Sequence, residues 1–359
     1  MATPTHIIAE AGVNHNGVPD LAFALASAAH SAGADSVKFQ TFDSSEIVTS
    51  AAGKADYQKQ HSDAKESQQA MLARLQLSHG LHRELIHHCD GLGINFLSSA
   101  FDLGSLRFLI NDLKLSTIKF GSGELLNAPL LYEAARSGVR IIISTGMANM
   151  ADIEQSLGVL ALGMSDVPPE RPTRMAFEEA WSDRSLRERV QERVTVLHCT
   201  SSYPTPAEYV NLLAMRTIAS AFGVPVGYSD HTESGSICVA AVALGARVLE
   251  KHLTLDRTMQ GPDHAASMEP GPFKAMVDGV RDVEKALGSA VKTPSEIERP
   301  IAAVARKSLV AHRAIKAGEP FSADNLTIKR PGTGICPLSY FESLGTTAKR
   351  DYAPDDLID

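Results

Sequence analysis

One pattern repeats eight times along this chain of 359 residues: a short run rich in β-branched and aromatic residues, a turn, and a stretch at helical spacing. Alternating strands and helices predict a parallel sheet. Eight such units predict an α/β fold of the closed (β/α)8 type, a TIM barrel of about 250 residues. An open doubly wound sheet is the alternative. The predicted strands are His6–Asn14, Ser36–Phe42, Asn95–Phe101, Thr117–Glu124, Arg140–Met147, Val194–Ser201, Pro225–His231 and Arg247–Leu255.

Helices are predicted in segments that follow these strands, where Ala, Leu and charged residues recur with a period near 3.6. The connection between the fifth and sixth predicted strands runs through the region 166–189, which is rich in Pro and charge. We expect it to form an excursion on the surface, with Trp181 packing it down. The predicted helices are Asp20–Ala32, His82–Leu92, Ala128–Ser137, Asp152–Leu162, Glu208–Phe222, Ser234–Leu244 and Pro272–Gly288.

A second, smaller domain is predicted after the barrel. Residues 1–290 form the predicted barrel, and the polar stretch Val291–Pro300, which has two prolines, indicates a linker over residues 291–304. Residues 305–359 combine short alternating strands with Gly-rich turns, which predicts a β-rich unit. At about 55 residues it is near the lower limit for independent folding, so we expect it to dock on a barrel.

Charge and composition exclude several functional classes. With 34 basic and 42 acidic side chains the formal net charge is −8, so no basic field exists to hold nucleic acid or an anionic membrane. The longest apolar run, Ile237–Ala246, has half the roughly 20 residues that a membrane span needs. The four cysteines form no C-x-x-C pair, which favours free thiols in a reducing cytoplasm.

Polar residues interrupt strands that a buried barrel should keep apolar. They occur two residues apart, so each pair projects to one side of its strand. Apolar neighbours such as Phe39, Ile118 and Leu197 are expected to face the helices. The polar side is then the barrel interior near its C-terminal mouth, where TIM barrels place their chemistry. The pairs are Glu10 with Gly12, Lys38 with Gln40, Lys119 with Gly121, His198 with Thr200, Ser229 with His231, and Glu250 with His252.

Two of these features indicate a chemistry. His231 and His252 end adjacent predicted strands, and two inward imidazoles at that location suit a divalent metal with open positions. His198 fits a hydrogen-bonded core residue as well as a ligand. Lys38 and Lys119, with nearby hydroxyls and the G-S-G-E turn, suit a phosphate or carboxylate, although ion pairs with Glu10, Glu124 or Glu250 are the alternative.

A set of ordered sequence motifs runs through the whole chain. They are I-I-A-E-A-G-V-N-H-N-G (Ile7–Gly17), S-V-K-F-Q-T-F (Ser36–Phe42), K-F-G-S-G-E (Lys119–Glu124), I-S-T-G-M-A (Ile143–Ala148), L-H-C-T-S-S-Y-P-T-P (Leu197–Pro206), G-Y-S-D-H-T (Gly227–Thr232), E-K-H-L-T-L-D (Glu250–Asp256), G-P-D-H-A-A-S-M-E-P (Gly261–Pro270), R-K-S-L-V-A (Arg306–Ala311), I-K-A-G-E-P-F (Ile315–Phe321) and I-K-R-P-G-T-G (Ile328–Gly334). Taken in order, these motifs closely resemble the sialic acid synthases over essentially the whole chain. The last three resemble the antifreeze-like SAF domain, a β-clip fold, that these enzymes carry.

The resemblance implies an enzyme that condenses phosphoenolpyruvate with an N-acylated mannosamine-type sugar, releasing phosphate and a nine-carbon 2-keto acid. It implies His231 and His252 as ligands of Mn²⁺, or of Mg²⁺ or Co²⁺. Arg330 would reach the sugar in the partner subunit of a domain-swapped homodimer; the alternative is an arginine on a solvated turn. The remaining implied roles are phosphoenolpyruvate binding by Lys38, Lys119, Ser122, Tyr203 and Ser229, sugar contact or proton transfer by Glu10, Glu124 and Asp263, and further substrate contacts by Gln40, Ser99 and Ser201.

This sequence departs from the family pattern at two of these contacts. Ser99 stands where relatives often have Thr, and Ser201 where some have Asn, so those anion contacts are expected to shift. Which of Glu10 and Glu124 is the general base stays open.

The sequence leaves open several alternatives for the activity and for the acceptor sugar. An inward Lys119 would also serve a Schiff-base aldolase, and a SAF-type domain would also suit a carbohydrate-binding protein. The acceptor sugar is either N-acetylmannosamine, which makes N-acetylneuraminate, or the 2,4-diacetamido-2,4,6-trideoxymannose of legionaminate synthases. The K-A-D-Y-Q stretch, Lys54–Gln58, resembles both branches, and we favour N-acetylmannosamine.

Overall fold

A computed structural model describes residues 4–49, 53 and 66–359. Eight parallel strands close into a barrel in sequential order, with the first strand hydrogen-bonded to both the second and the eighth, which confirms the predicted TIM-barrel fold. The Lys54–Gln58 motif lies outside the described residues. The strands are β1 His6–Gly12, β2 Ser36–Thr41, β3 Asn95–Ala100, β4 Thr117–Phe120, β5 Arg140–Ser144, β6 Val194–Cys199, β7 Val226–Asp230 and β8 Val248–His252.

Each observed strand begins within one residue of its predicted start but ends one to four residues earlier than predicted. Residues that are common in strands continue past the last paired position, such as Val13, Phe42 and Phe101, so the sequence does not mark where pairing stops. For β4, the last predicted residues instead form a 3₁₀ turn, Ser122–Glu124. These turns and loops form the C-terminal mouth of the barrel.

An apolar layer closes the barrel below this mouth. One side chain from each of five strands contributes to it, and two residues further along each strand the inward position is polar or carries a thiol. The N-terminal half of the barrel is therefore a packed core, whereas the C-terminal half is free to hold polar groups. The layer consists of Ile8, Leu97, Ile142, Leu197 and Val248.

The helices surround the barrel, and local signals explain where several begin. Helix α1 starts with Pro19 at its first position, and Asn149 and Asp152 form a reciprocal capping box at the start of α7. The described helices are α1 Pro19–Ser31, α2 Ser44–Ile47, α3 Gln68–Leu75, α4 His79–Leu92, α5 Leu103–Arg107, α6 Ala128–Arg136, α7 Met150–Gly163, α8 Arg174–Ser182, α9 Arg184–Arg193, α10 Ala214–Phe222, α11 Gly235–Ala243, α12 Pro270–Leu287, α13 Glu298–Ala305 and α14 Tyr340–Ser343.

Two predicted segments differ in detail from the structure. The predicted helix Glu208–Phe222 is interrupted, because Asn211 adopts a positive φ of 52° and α10 begins only at Ala214. The long connection 166–189 carries α8 and α9. Within it Trp181 is buried against Phe222, with ring centroids 6.1 Å apart, as the sequence predicts.

The chain divides into two compact units, Met1–Gly288 and Ser289–Asp359. In the second unit β9, Ser308–Ala311, pairs antiparallel with β10, Leu326–Lys329, over a small apolar core of its own. The predicted linker 291–304 is partly helical because it contains most of α13. A helix rises 1.5 Å per residue, so this segment spans less than the extended linker that the sequence suggested.

None of the helices in the described part of the chain is both long and apolar enough to cross a lipid bilayer.

Candidate active site

The carboxyl ends of the barrel strands surround one cavity of about 490 Å³. Every residue of the barrel unit to which the resemblance assigns a site role lines it. Arg330 belongs to the second unit, where it is exposed directly after β10. The predicted residues in the cavity wall are Glu10, Lys38, Gln40, Ser99, Lys119, Ser122, Glu124, Ser201, Tyr203, Ser229, His231, His252 and Asp263.

Four buried charges form an ion-pair chain on the floor of the cavity. Lys38 Nζ lies 2.6 Å from Glu10 Oε2 and 3.7 Å from Glu250 Oε2, and Lys119 Nζ lies 3.5 Å from Glu250 Oε1. Ser229 Oγ also donates a hydrogen bond to Glu250 Oε1, at 3.0 Å. The ion-pair alternative for the lysines is therefore present, and Glu250, which the sequence suggested only as an ion-pair partner, connects both lysines.

Burial and these ion pairs change the acidity of each group. Burial raises the pKa of Glu10, and Lys38 offsets this only in part. For Lys38, burial acts to lower the pKa, but the attraction of Glu10 and Glu250 outweighs it and the pKa is raised. Burial lowers the pKa of Lys119 despite the nearby Glu250. The floor therefore combines a carboxyl that protonates easily with a lysine that loses its proton easily.

Neighbouring polar side chains hold the first ion pair in place. Lys38 Nζ donates to Ser99 Oγ at 2.9 Å, and Gln40 Nε2 donates to Glu10 Oε1 at 3.1 Å. Because these residues come from three adjacent strands, the register of β1, β2 and β3 sets the position of both charged groups.

Hydroxyl groups converge beside the lysines where the loops after β4, β5 and β6 meet. Ser122 Oγ accepts a hydrogen bond from the backbone N–H of Gly146 at 2.9 Å. A Cβ on Gly146 would lie 2.1 Å from Ser201 Oγ and 2.8 Å from Ser122 Oγ, so the backbone must approach both hydroxyls without a side chain. Hydroxyls and an ammonium group in a shared recess suit an oxyanion.

The two histidines lie side by side at the seam between β7 and β8, with ring centroids 5.3 Å apart. The Tyr203 ring packs 4.1 Å from that of His231. His231 Nδ1 is 2.8 Å from the Thr200 carbonyl, which can only accept, so Nδ1 carries the proton and Nε2 is a free electron-pair donor. His252 Nδ1 is buried, 3.9 Å from Asp263 Oδ2, and has no hydrogen-bond partner among the described residues.

This donor set fits a divalent cation with open coordination positions. In the part of the chain that the structure describes, one nitrogen of each imidazole has no competing hydrogen bond. Two protein ligands are also fewer than the four of a closed structural zinc site. In the described ranges, 4–49, 53 and 66–359, no group of three or more His, Cys, Asp or Glu side chains is arranged to hold a metal ion.

Two further carboxyl groups line the cavity outside this ion-pair chain. Glu124 is half-buried in the 3₁₀ turn after β4, where its Oε2 accepts from Asn127 Nδ2 at 2.6 Å and burial raises its pKa. Asp263 is buried in the loop after β8, and burial, with the negative field of Glu10, raises its pKa to about 6. Both groups can therefore exchange protons near neutral pH more easily than an exposed carboxylate.

The structure corrects the prediction for β6, where His198 and Thr200 were expected to face the cavity. His198 lies outside the barrel, where its Nε2 is 2.6 Å from the Val210 carbonyl, and Leu197 and Cys199 face inward. The sequence does not distinguish a histidine that is hydrogen-bonded outside the barrel from one that faces the cavity. The register with β7 decides the side, because Cys199 pairs with the inward Ser229.

Comparisons with known proteins identify relatives over nearly the full length of the chain. The model of the NeuB family matches residues 25–292, and that of the SAF domain matches residues 306–359. An N,N'-diacetyllegionaminic acid synthase of Campylobacter jejuni is 44% identical over 99% of this chain and 98% of its own length.

Two further relatives extend this picture. A protein of the same name from Legionella pneumophila is 40% identical over 95% of this chain and 89% of its own. The crystal structure of an N-acetylneuraminic acid synthetase from Leptospira borgpetersenii, in complex with citrate, superposes with a TM-score of 0.66 at 29% identity. It covers 83% of this chain and 90% of that protein.

Proposed function

The chain belongs to the NeuB family and carries a SAF domain over residues 306–359, and we propose that it is a synthase of nonulosonic, sialic-type acids. It condenses phosphoenolpyruvate with an N-acylated mannosamine-type sugar and water, and releases inorganic phosphate. The observation that carries this proposal is a single cavity that combines two buried lysines with two histidines open to a metal.

The lysines supply the charge that phosphoenolpyruvate needs. Glu10 and Glu250 neutralise Lys38 and Lys119. The raised pKa of Glu10 lets this group take up a proton when an anion enters, which frees Lys38 to bind that anion. The hydroxyls of Ser122 and Ser201 then donate to its remaining oxygens.

The reaction joins C3 of phosphoenolpyruvate to the aldehyde carbon of the open-chain sugar. Water then adds at C2, and the bond between C2 and the phosphate oxygen breaks, which leaves the 2-keto acid. The new sugar oxygen must gain a proton, and the water, whose oxygen becomes the keto oxygen, must lose both of its protons, the second of which ends on the released phosphate. We assign the proton transfer nearest the phosphate to Glu10, which contacts Lys38, and that at the sugar side to Glu124 in the turn after β4.

His231 and His252 would hold Mn²⁺, or Mg²⁺ or Co²⁺ in its place. A cation held there would supply Lewis-acid polarisation of the aldehyde carbonyl. The protein's own part is to present one unprotonated nitrogen from each ring; the Thr200 carbonyl does this for His231 by fixing its protonation. Tyr203 packs against both rings and limits their rotation.

A second acceptor sugar is favoured by the apolar wall of the cavity. Besides N-acetylmannosamine, the 2,4-diacetamido-2,4,6-trideoxymannose of legionaminate synthases fits, because its two acetyl methyls and C6 methyl need apolar contacts. The two relatives at 44% and 40% identity carry that activity in their names. The apolar wall consists of Val13, Phe42, Ile47, Met71, Leu72, Leu75 and Phe101.

A phosphate-release assay tests the function and identifies the sugar. The enzyme is mixed with phosphoenolpyruvate, Mn²⁺ and either sugar, and the two values of kcat/KM are compared. We expect phosphate release with one or both sugars and none without a sugar. A carbohydrate-binding protein would release none with either, which would contradict the proposal.

Borohydride trapping distinguishes the Schiff-base alternative. Lys119, whose pKa burial lowers, is the residue that an aldolase would use as a nucleophile. We expect treatment with pyruvate and borohydride to leave the mass of the protein unchanged. A stable adduct on Lys119 would support the aldolase instead.

We also propose a domain-swapped homodimer and a cytoplasmic location. In the second unit, Ile297, Ile301 and Val304 lie at helical spacing and are all exposed, as are Leu338 and Phe341. Exposed apolar side chains on so small a unit favour docking against another surface.

The cysteines support the reducing compartment. All four lie in the described part of the chain, and all are free thiols.

Replacing Lys38 with methionine should weaken phosphoenolpyruvate binding much more than sugar binding. Loss of one buried charge-assisted contact costs about 1.5–3 kcal/mol, which corresponds to about 10- to 100-fold in affinity. The fold should survive, because the raised pKa of Glu10 lets it become neutral when Lys38 is lost. The measurement is the KM of each substrate. The same substitution at the exposed Lys285 of α12 should change neither.

A further inference from the structure

Asp230 and Lys251 form an ion pair behind the two histidines, on the outer side of the barrel. They are register partners on β7 and β8, and Lys251 Nζ lies 2.7 Å from Asp230 Oδ2. Asp230 directly precedes His231, and Lys251 directly precedes His252. Because side chains alternate along a strand, the ion pair faces the helices while both imidazoles face the cavity.

The carboxylate of Asp230 is held from several directions. Its Oδ1 accepts from the Tyr228 hydroxyl at 2.9 Å and from the Thr232 backbone N–H at 2.9 Å. Its Oδ2 accepts from Cys238 Sγ at 3.2 Å as well as from Lys251. Asp230 and Lys251 are each only 1% exposed, so this is a fully desolvated and hydrogen-bonded charge pair.

Lys251 also makes a second contact, so that it bonds the residues on both sides of His231. Its Nζ donates to the carbonyl oxygen of Thr232, the residue after His231. The backbone of His231 therefore lies between two residues that are both bonded to Lys251, and its own carbonyl accepts from Thr205 N–H at 2.8 Å. One lysine side chain thus ties the segment that carries His231 to the strand that carries His252.

Stability alone gives little reason for such a pair. The cost of removing both charges from water offsets much of their attraction, and an apolar pair of similar volume often stabilises a fold as well. Neither side chain is among the residues that line the cavity, so neither contacts a substrate there. What the pair does fix is the relative position of two neighbouring imidazoles.

We propose that Asp230 and Lys251 are positioning residues that set the separation and orientation of His231 and His252 for a divalent cation. The inference rests on the proposed metal role of the histidines. Loss of a residue that orients a metal ligand typically weakens metal affinity about 10- to 100-fold. Here each charged residue would orient the histidine that directly follows it, through the backbone that joins the two residues.

The test measures Mn²⁺ binding to the full chain by calorimetry, without substrate. The variants are Asp230→Asn, Lys251→Met and the double variant, which removes both charges and so leaves no unpaired buried charge. We expect about 10- to 100-fold weaker Mn²⁺ binding in each variant that folds. At saturating Mn²⁺ the KM for phosphoenolpyruvate should match that of the wild type, because Lys38 and Lys119 are unchanged.

The matched control is Asp35→Asn, which breaks another ion pair of the barrel, Asp35 Oδ2 with Arg281 Nη2 at 2.7 Å, at the opposite end of the strands. It should leave Mn²⁺ affinity unchanged. Wild-type affinity in the folded double variant, or an equal loss in Asp35→Asn, would overturn the positioning role while leaving the metal assignment intact. Failure of the wild type to bind Mn²⁺ would overturn the metal assignment and the positioning role with it.

Discussion

Replacing either His231 or His252 with alanine should lower turnover about a thousandfold or more, equivalent to about 4 kcal/mol of transition-state stabilisation. Among the described residues, His231 and His252 are the only histidines that line the cavity. Each substitution therefore leaves a single imidazole, which holds a cation poorly. The fold should persist, because both rings border the cavity and their removal leaves the apolar layer below untouched. The measurements are kcat with saturating substrates and the far-UV circular dichroism spectrum.

His198→Ala provides the matched control for these variants. His198 is on the adjacent strand β6 but outside the barrel, where its ring bonds the Val210 carbonyl. We expect this variant to lose some stability yet keep its metal dependence.

Metal removal is the complementary experiment to these substitutions. A chelator should abolish wild-type activity, and added Mn²⁺ should restore it, with Mg²⁺ and Co²⁺ as alternatives to compare. Full activity of His231→Ala or His252→Ala in metal-free buffer would show that neither histidine serves a metal.

Mixing an Arg330→Ala chain with a His231→Ala chain should restore activity that neither variant has alone. If the second unit completes the cavity of the partner subunit, a mixed dimer has one site with both residues intact and one with neither. Random exchange of equal amounts makes half of the dimers mixed, so the mixture should regain about a quarter of wild-type activity. The measurement is phosphate release before and after subunit exchange.

The control mixture combines His231→Ala with His252→Ala. Both substitutions affect the same cavity, so no mixed dimer contains an intact site, wherever the second unit docks. This mixture should stay inactive. If the Arg330→Ala and His231→Ala chains form mixed dimers that are also inactive, Arg330 does not act across the dimer.

The location of the cavity could be predicted from the sequence because two signals are local. Alternation of strand and helix predicts the barrel, and polar residues two apart, as in Lys38 with Gln40 or Glu250 with His252, predict which end of it is polar. Both depend only on the period of side chains along one strand. They therefore need no knowledge of what packs beside that strand.

Other features depend on neighbours that a single strand does not reveal. A period of two separates the two faces of β6 but does not say which face is inward. The prediction that His198 faces the cavity is therefore wrong, because the pairing of β6 with β7 puts its ring outside the barrel. In the same way, Glu250 joins both lysines only because β8 closes against β1. The Asp230–Lys251 pair likewise requires the register of β7 with β8.

The sequence by itself thus determined the repeat, the fold class and the set of chemical groups at the mouth of the barrel. The tertiary structure alone decided which of these groups touch: which carboxylate neutralises which lysine, and which charge lies behind which histidine. The physical reason is range. Side-chain alternation and turn chemistry act over a few residues, whereas ion pairing in the closed barrel joins residues more than 200 positions apart, such as Lys38 and Glu250.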